Sequence, residues 1–309
     1  MLTLTCRDRT DGIGAQVCGI ISVMVLAASF DMEYVYTPII KVAHYPYQYP
    51  SQRELSMWKN KWEKLFGLND GNKLLQDAVG IREFIDFRKL SGHFMCSRDG
   101  VLSHDLSKPV AMVYGMREAH SVLTQYQSND KIIKGWECVL PKIRERYTRS
   151  LNDKPHFTNL LKTNRPVTHI AVHIRRGDSK DTQRRFVQHS YFVNVLNLLI
   201  KHLETRDRLY TIHIYSEGDI SEFPEFTGET FKGKRLFLHL NDDHFDTLHH
   251  FVCADVFVMS KSTFSYLGAL YNRTGMIIYK PFWLLPPKPL QDKWIDGGED
   301  GTQIDLTRI

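Results

Sequence analysis

The 309-residue chain reads as an α/β protein made of two domains, each built on a parallel sheet. Three observations predict this. A strand, a glycine turn and a buried helix open the sequence. Short apolar runs of β type then alternate with helical patterns, most regularly after residue 167. Near the middle, Asn152-Asp153-Lys154-Pro155 and Thr163-Asn164-Arg165-Pro166 punctuate the chain, dividing residues 1–155 from 156–309. The C-terminal tail is left available to pack back on the first domain.

Taken in order, Leu2 to Cys6 alternates Leu and Thr, a β pattern. Asp11-Gly12-Ile13-Gly14-Ala15-Gln16 follows, then an apolar run of small residues from Val17 to Ala28 that predicts a buried helix. Glu33–Tyr36 is the next strand. Pro38 to Gln52 is rich in Tyr, Pro and His and reads as a loop, and Ser51–Leu68 has a helical pattern through Trp58, Trp62, Leu65 and Phe66. Asn69 to Ser107 shows no clear period. Lys131–Leu151 predicts a helix. In the second half the expected strands are Thr168–Ile174, Leu209–Tyr215, Arg235–Leu240, Val256–Met259 and Met276–Tyr279. The expected helices are Tyr191–Leu203, Asp246–Cys253 and Thr263–Asn272. Such alternation argues for a doubly wound parallel sheet.

The formal charge is +5 and is scattered. That suits an anionic small molecule, and it argues against nucleic acid, which calls for a concentrated basic stripe. Cys6, Cys18, Cys96, Cys138 and Cys253 are odd in number and irregularly spaced, with no CxxC pair. A disulfide framework and a zinc site are not expected, and a reducing, cytoplasmic setting is. The longest apolar stretch, Val17–Phe30, is short for a membrane span. It is also preceded by Asp8, Asp11 and a glycine turn rather than by a basic signal start. No membrane span is expected; a secretory enzyme of this sequence would have to lack its anchor.

Ligands of parallel sheets bind beyond the carboxyl ends of the strands. His173-Ile174-Arg175-Arg176-Gly177-Asp178 stands at such an end. Paired guanidinium groups can fork onto a diphosphate, and a glycine lets the backbone turn close to it. An exposed Arg-Arg before a Gly-Asp turn is the plainer alternative. Ser260-Lys261-Ser262-Thr263-Phe264-Ser265 lies between a strand and a helix, where hydroxyls and free N–H groups make an anion site. An ordinary helix N-cap explains the same residues.

Together these two segments, followed by Gly268-Ala269, resemble the fucosyltransferase superfamily of α1,2-, α1,6- and protein O-fucosyltransferases, and Gly12-Ile13-Gly14-Ala15-Gln16 is similar to that family's first motif. The resemblance implies a GT-B-like fold, two Rossmann-like domains with parallel sheets facing across a cleft. It implies an inverting, metal-independent transfer of a sugar from a nucleotide-sugar donor, L-fucose from GDP-fucose first, to a glycan or glycopeptide hydroxyl, with no cofactor besides that donor. By similarity, Arg175 binds the diphosphate and offsets leaving-group charge, and Arg176 is a second contact or a structural partner. His173 lies beside the nucleotide, with Ser216 and Glu217 bordering it. Ser262, Thr263, Phe264 and Ser265 hold phosphate, and Asp246 matches an acidic position that contacts the base. Gly12, Gly14, Gln16 and Asp178 complete the donor side. A UDP-xylose or rhamnosyl donor on the same fold, and a noncatalytic nucleotide- or glycan-binding module, stand as alternatives.

An acceptor hydroxyl calls for a base. Where α1,6-type enzymes carry a glutamate soon after the arginines, this chain has Gln183. Asp11, Asp178 and Asp181 are the nearby carboxylates, and Asp11 is the first candidate because it stands on the first-motif loop. Asp242-Asp243-His244, His249 and His250 could suggest a metal, but adjacent histidines point to different helix faces. Asn272-Arg273-Thr274 is a sequon at the end of an expected buried helix. Tyr45, Tyr47, Tyr49 and Trp58 offer either a sugar-stacking acceptor surface or ordinary loop packing.

Overall fold

The computed structural model describes residues 2–6, 11–43, 51–74, 83–86, 110–114, 116–151, 165–177 and 184–309. The chain forms two compact units, Met1–Asp153 with Pro287–Pro289, and Lys154–Pro286 with Leu290–Ile309. Among the described residues no helix is long and apolar enough to cross a membrane.

The first unit is a five-stranded parallel sheet of β1 (Leu2–Cys6), β2 (Glu33–Tyr36), β3 (Lys73–Leu74), β4 (Glu83–Asp86) and β5 (Val110–Tyr114), in the order β3-β2-β1-β5-β4. Its centre is α1 (Ile13–Ser29), buried along nearly its whole length. A helix apolar on every side has no solvent face to offer. It packs on β1, on α3 (Met116–Gln125) and on α4 (Asp130–Ser150). Its two serines return their hydroxyls to the helix itself, Ser22 to Cys18 O at 2.9 Å and Ser29 to Val25 O at 2.7 Å. The small residues let α4 lie directly on it: a Cβ on Gly135 would stand 2.2 Å from Ser29 Oγ and 2.7 Å from Val25 O. The remaining helix, α2 (Gln52–Phe66), starts on a Ser51–Glu54 capping box, and its half-buried Trp58 packs edge-on to Trp62 within the unit.

The second unit is a six-stranded parallel sheet of β6 (Val167–Ile174), β7 (Leu209–Ser216), β8 (Leu236–Leu240), β9 (Val256–Val258), β10 (Met276–Tyr279) and β11 (Trp294–Asp296), ordered β11-β10-β9-β6-β7-β8. Helices α5 (His189–Glu204), α6 (Pro224–Thr227), α7 (His244–Cys253) and α8 (Thr263–Tyr271) complete it. The core runs through Ile170, Val172, Ile212 and Ile214 of the sheet and Phe192, Val195 and Leu199 of α5. The chain winds outward from β6 to β8 and then returns to place β9 on the other side of β6. The sheet therefore reverses between β6 and β9, and a crevice is expected beyond those two tips.

Three features differ from the expectations. Strand β5 and helix α3 occupy a stretch for which the sequence predicts no element. Strand β11 follows the proline-rich 281–289 and exists through distant pairing, Ile277 with Trp294 and Ile278 with Ile295. The tail packs on its own unit. Ile304, Leu306 and Ile309 lie against the second unit's core, and Asn194 Nδ2 donates to Asp300 O at 2.8 Å. Only Pro287–Pro289 groups with the first unit.

Candidate functional site

The two motifs at the reversal of the second sheet meet. Arg175 leaves β6 with its backbone N–H donated to Ser260 Oγ at 3.1 Å, and its Nη1 donates to Ser262 Oγ at 3.2 Å. Ser262 is the N-cap of α8 and accepts the Phe264 N–H at 3.2 Å. Ser265 Oγ accepts the Ser260 N–H at 3.3 Å and is hydrogen-bonded to His173 Nδ1. A guanidinium is thus held at the amino end of a helix, where the backbone dipole favours negative charge. Ser262 and Ser265 are buried and joined to Arg175 and His173, so their hydroxyls brace the site from within. Thr263 and Phe264 are the half-exposed members of the segment.

His173 packs against Phe251 and Phe264. Burial, aided by the Arg175 guanidinium, pushes its pKa down to about 3, so the ring is neutral at physiological pH. Arg176 faces the other way. It is buried, lies 4.4 Å over the Phe186 ring, and donates to Arg175 O at 2.8 Å and Val187 O at 3.1 Å. Those bonds brace the Arg175 turn, as the structural one of the two roles open to it would have it.

At the β7 tip Ser216 is buried and donates to Ile174 O at 2.6 Å, which ties β7 to β6 instead of offering its hydroxyl outward. Glu217 projects beyond it, with Oε1 3.9 Å from His244 Nε2. His244, with Arg175 adding to its effect, holds this carboxyl below its ordinary value. Gly177 has φ +58°, and a Cβ there would stand 1.9 Å from Glu217 Oε2. Asn241, itself at φ +60°, closes the β8 tip onto Gly218 with bonds of 3.0 and 2.9 Å.

Asp246 is exposed in the first turn of α7, where Asp243 caps the helix by accepting Phe245 N–H at 2.8 Å and Asp246 N–H at 3.2 Å. Asp242 turns to His239 Nδ1 at 3.1 Å. His249 is buried beside Cys253, and His250 Nδ1 is 2.6 Å from Tyr215 OH. Among the described residues no group of three or more His, Cys, Asp or Glu could hold a metal ion. The sequon is taken up by the fold, as its place at the end of a buried helix leads one to expect: Asn272 is buried, with Nδ2 donating to Phe251 O and Ala254 O and Oδ1 accepting from Thr274 and Gly275.

In the first unit Asp11 Oδ1 accepts the Gly12 N–H at 2.8 Å, and Gly12 precedes α1. Gly14 and Gln16 are buried. The Gln16 amide donates to Asp11 O at 2.6 Å and Lys41 O at 2.7 Å. With its N–H groups engaged, the buried Gln16 latches two loops. Asp178, Asp181, Gln183, Tyr45, Tyr47 and Tyr49 lie outside the described residues. Sequence reasoning counted Ser260 in the hydroxyl segment but gave it no separate role, although it receives the Arg175 N–H, and weighed His244 only as a metal ligand. A serine two residues before an N-cap was the available signal for the first.

No family model matches the chain, and no curated protein does. Solved structures of similar fold include POFUT1 in complex with GDP, 13% identical, with 92% of this chain and 98% of that chain covered and a TM-score of 0.43. NodZ α1,6-fucosyltransferase co-crystallised with GDP is 11% identical, with coverage of 90% and 94% and a TM-score of 0.39. E. coli heptosyltransferase WaaC with ADP-2-deoxy-2-fluoro heptose is 13% identical, with coverage of 91% and 89% and a TM-score of 0.37.

Proposed function

We propose that the second unit binds the diphosphate of a nucleotide sugar and that the chain is an inverting glycosyltransferase. One observation carries the reading: Arg175 and the amino end of α8 are joined at the point where the sheet reverses. Departure of a nucleoside diphosphate develops negative charge on the phosphate oxygens as the sugar gains oxocarbenium character. A guanidinium braced by Ser262, Ser260 and Arg176 meets that charge without reorganising, so in this reading the transfer proceeds without a metal. His173, kept neutral, lies beside Arg175 without adding a second competing cation.

The motif resemblance supports GDP-fucose as the first donor to try and a glycan or glycopeptide hydroxyl as acceptor. Glu217 and Asp246, at the β7 tip and the start of α7, can accept from base N–H or ribose O–H groups. Asp11 is the candidate base for the acceptor hydroxyl.

Titration calorimetry with GDP, UDP and ADP, followed by transfer assays with the matching fucosyl, xylosyl and heptosyl donors, tests the reading. Binding of GDP and turnover of GDP-fucose are expected. Binding of UDP alone would move the assignment to another donor. Nucleotide binding without transfer to any acceptor would favour a binding module, and no nucleotide binding would overturn the proposal.

A further inference from the structure

The carboxyl edge of the second sheet is divided by charge, and Arg175 stands at the divide. Beyond β7 and β8 the tips carry Glu217, Asp219, Asp242 and Asp243. Beyond β9 and β10 they carry Lys261 and Lys280. Arg184 and Arg185 reach the same half from the turn before α5, with their guanidinium carbons 5.3 and 5.7 Å from the centre of the Trp283 ring, three residues past Lys280. An indole face between two guanidinium groups holds both in place at modest cost.

The carboxylates of this half lie beyond β11, and each has a local partner. Glu299 pairs with Lys280 at 2.9 Å. Asp296 Oδ1 accepts the Gly298 N–H, and Asp300 Oδ1 accepts the N–H and hydroxyl of Thr302. Among the described residues Lys261, Arg184 and Arg185 have no carboxylate within ion-pair distance. Partial burial of Lys261, with Lys280 beside it, holds its ammonium below the ordinary lysine value, against the opposing pull of Glu299.

We propose that this cationic half is the acceptor side of the site and that it takes an acidic saccharide, one bearing carboxylate, sulfate or phosphate. The inference rests on the transferase reading, which puts the diphosphate at Arg175. The donor's base and ribose, rich in N–H and O–H groups, then fit the acidic half. What extends the other way is the transferred sugar and the molecule that receives it. Arg184 and Arg185 provide planar forks for an oxyanion, and Lys261 a point charge nearer the reacting centre. A neutral acceptor would leave three cations facing it without use.

The test compares a neutral oligosaccharide with its uronate, sulfated and phosphorylated derivatives, by ligand-observed NMR on the nucleotide-free protein and on its Arg184→Ser/Arg185→Ser variant. GDP affinity is measured on both. The expected result is that at least one acidic derivative binds about tenfold tighter than the neutral parent at low salt, an advantage that shrinks as salt screens it. In the double variant the preference falls to within about twofold, while the GDP Kd changes by less than about twofold. Which derivative gains most identifies the acid. Equal binding of neutral and acidic forms overturns the proposal. So does a double variant that loses GDP affinity as steeply as saccharide affinity, since the strip would then belong to the donor. Acidic-saccharide binding in a protein that binds no nucleotide would sink the transferase reading alone.

Discussion

The β1 tip of the first unit and the β6 tip of the second follow one plan, a parallel strand running into a polar, glycine-bearing turn, and they spend their polar groups differently. At the first, Gln16 is buried and donates inward to Asp11 O and Lys41 O, and Asp11 caps Gly12. At the second, Arg176 is the side chain turned inward, while Arg175 is joined to the start of α8. A glycine turn after a strand therefore does not by itself mark a ligand site. What distinguishes the second tip is a cation held against a helix amino end.

The largest expected separation between the units is their response to acid. Burial holds His213 and His173 at about 3 and His250 at about 4, all below the ordinary histidine value. Their neutral forms are favoured by the fold. That stability is complete above about pH 6.5 and is lost as pH falls from there toward the folded values, at about 1.4 kcal/mol per pH unit for each ring. All three lie in the second unit. Amide NMR spectra followed from about pH 7 to about pH 4 should show its signals collapsing before those of the first unit. Simultaneous loss would break the contrast.

Next comes Arg175→Ala. Removing a preorganised charge of this kind costs on the order of 100- to 1,000-fold in turnover. The melting temperature should hold, because Ser262 keeps its cap on α8. Transfer rates with a saturating donor read the first effect, and calorimetry the second. Gln16→Leu should do the reverse. It removes two part-buried hydrogen bonds and leaves the Lys41 carbonyl without its partner, although Asp11 O still accepts the Ala43 N–H. The loss is roughly 1–3 kcal/mol of stability, while GDP affinity stays within about twofold. A folded Gln16→Leu protein that no longer bound GDP would restore the first motif to the donor site.

How far the sequence disclosed this arrangement follows from which interactions are local. The second unit's strands, with their 3.6-period crossovers, were legible, as was the pairing of the Arg175 and Ser262 segments through their order and type. Strand β11 was not: three residues after a proline-rich stretch become a strand only through Ile277 and Ile278. The inward roles of Gln16 and Arg176 were hidden for the same reason, since their acceptors at Lys41 and Val187 come together only in the folded unit. So were the aligned rings of His213, His239 and His250. Alternation along each strand is visible, but the register that sets Tyr215 against His239 is not.

The smallest effect, and the finest probe of the comparison, is Gly177→Ala set against Gly67→Ala. Both glycines are left-handed, with φ +58° and +54°, so each substitution costs about 1 kcal/mol from backbone strain alone. They differ in what the new methyl meets. At Gly67 it would stand 2.9 Å from Arg146 Cβ, an atom fixed close to the α4 backbone, so the first unit has to shift and loses further stability. At Gly177 it would meet Glu217 Oε2, the free end of a half-exposed side chain. Glu217 can swing aside, and in doing so it leaves His244. Its carboxyl should then climb back toward the ordinary range, because His244 is the first cause of its lowering. Carbon-detected NMR titration of Glu217 in both variants decides the point. A rise in Gly177→Ala with none in Gly67→Ala means that the second tip is tuned by a movable carboxylate, whereas an unchanged Glu217 in both would mean that its charge is set by Arg175 instead.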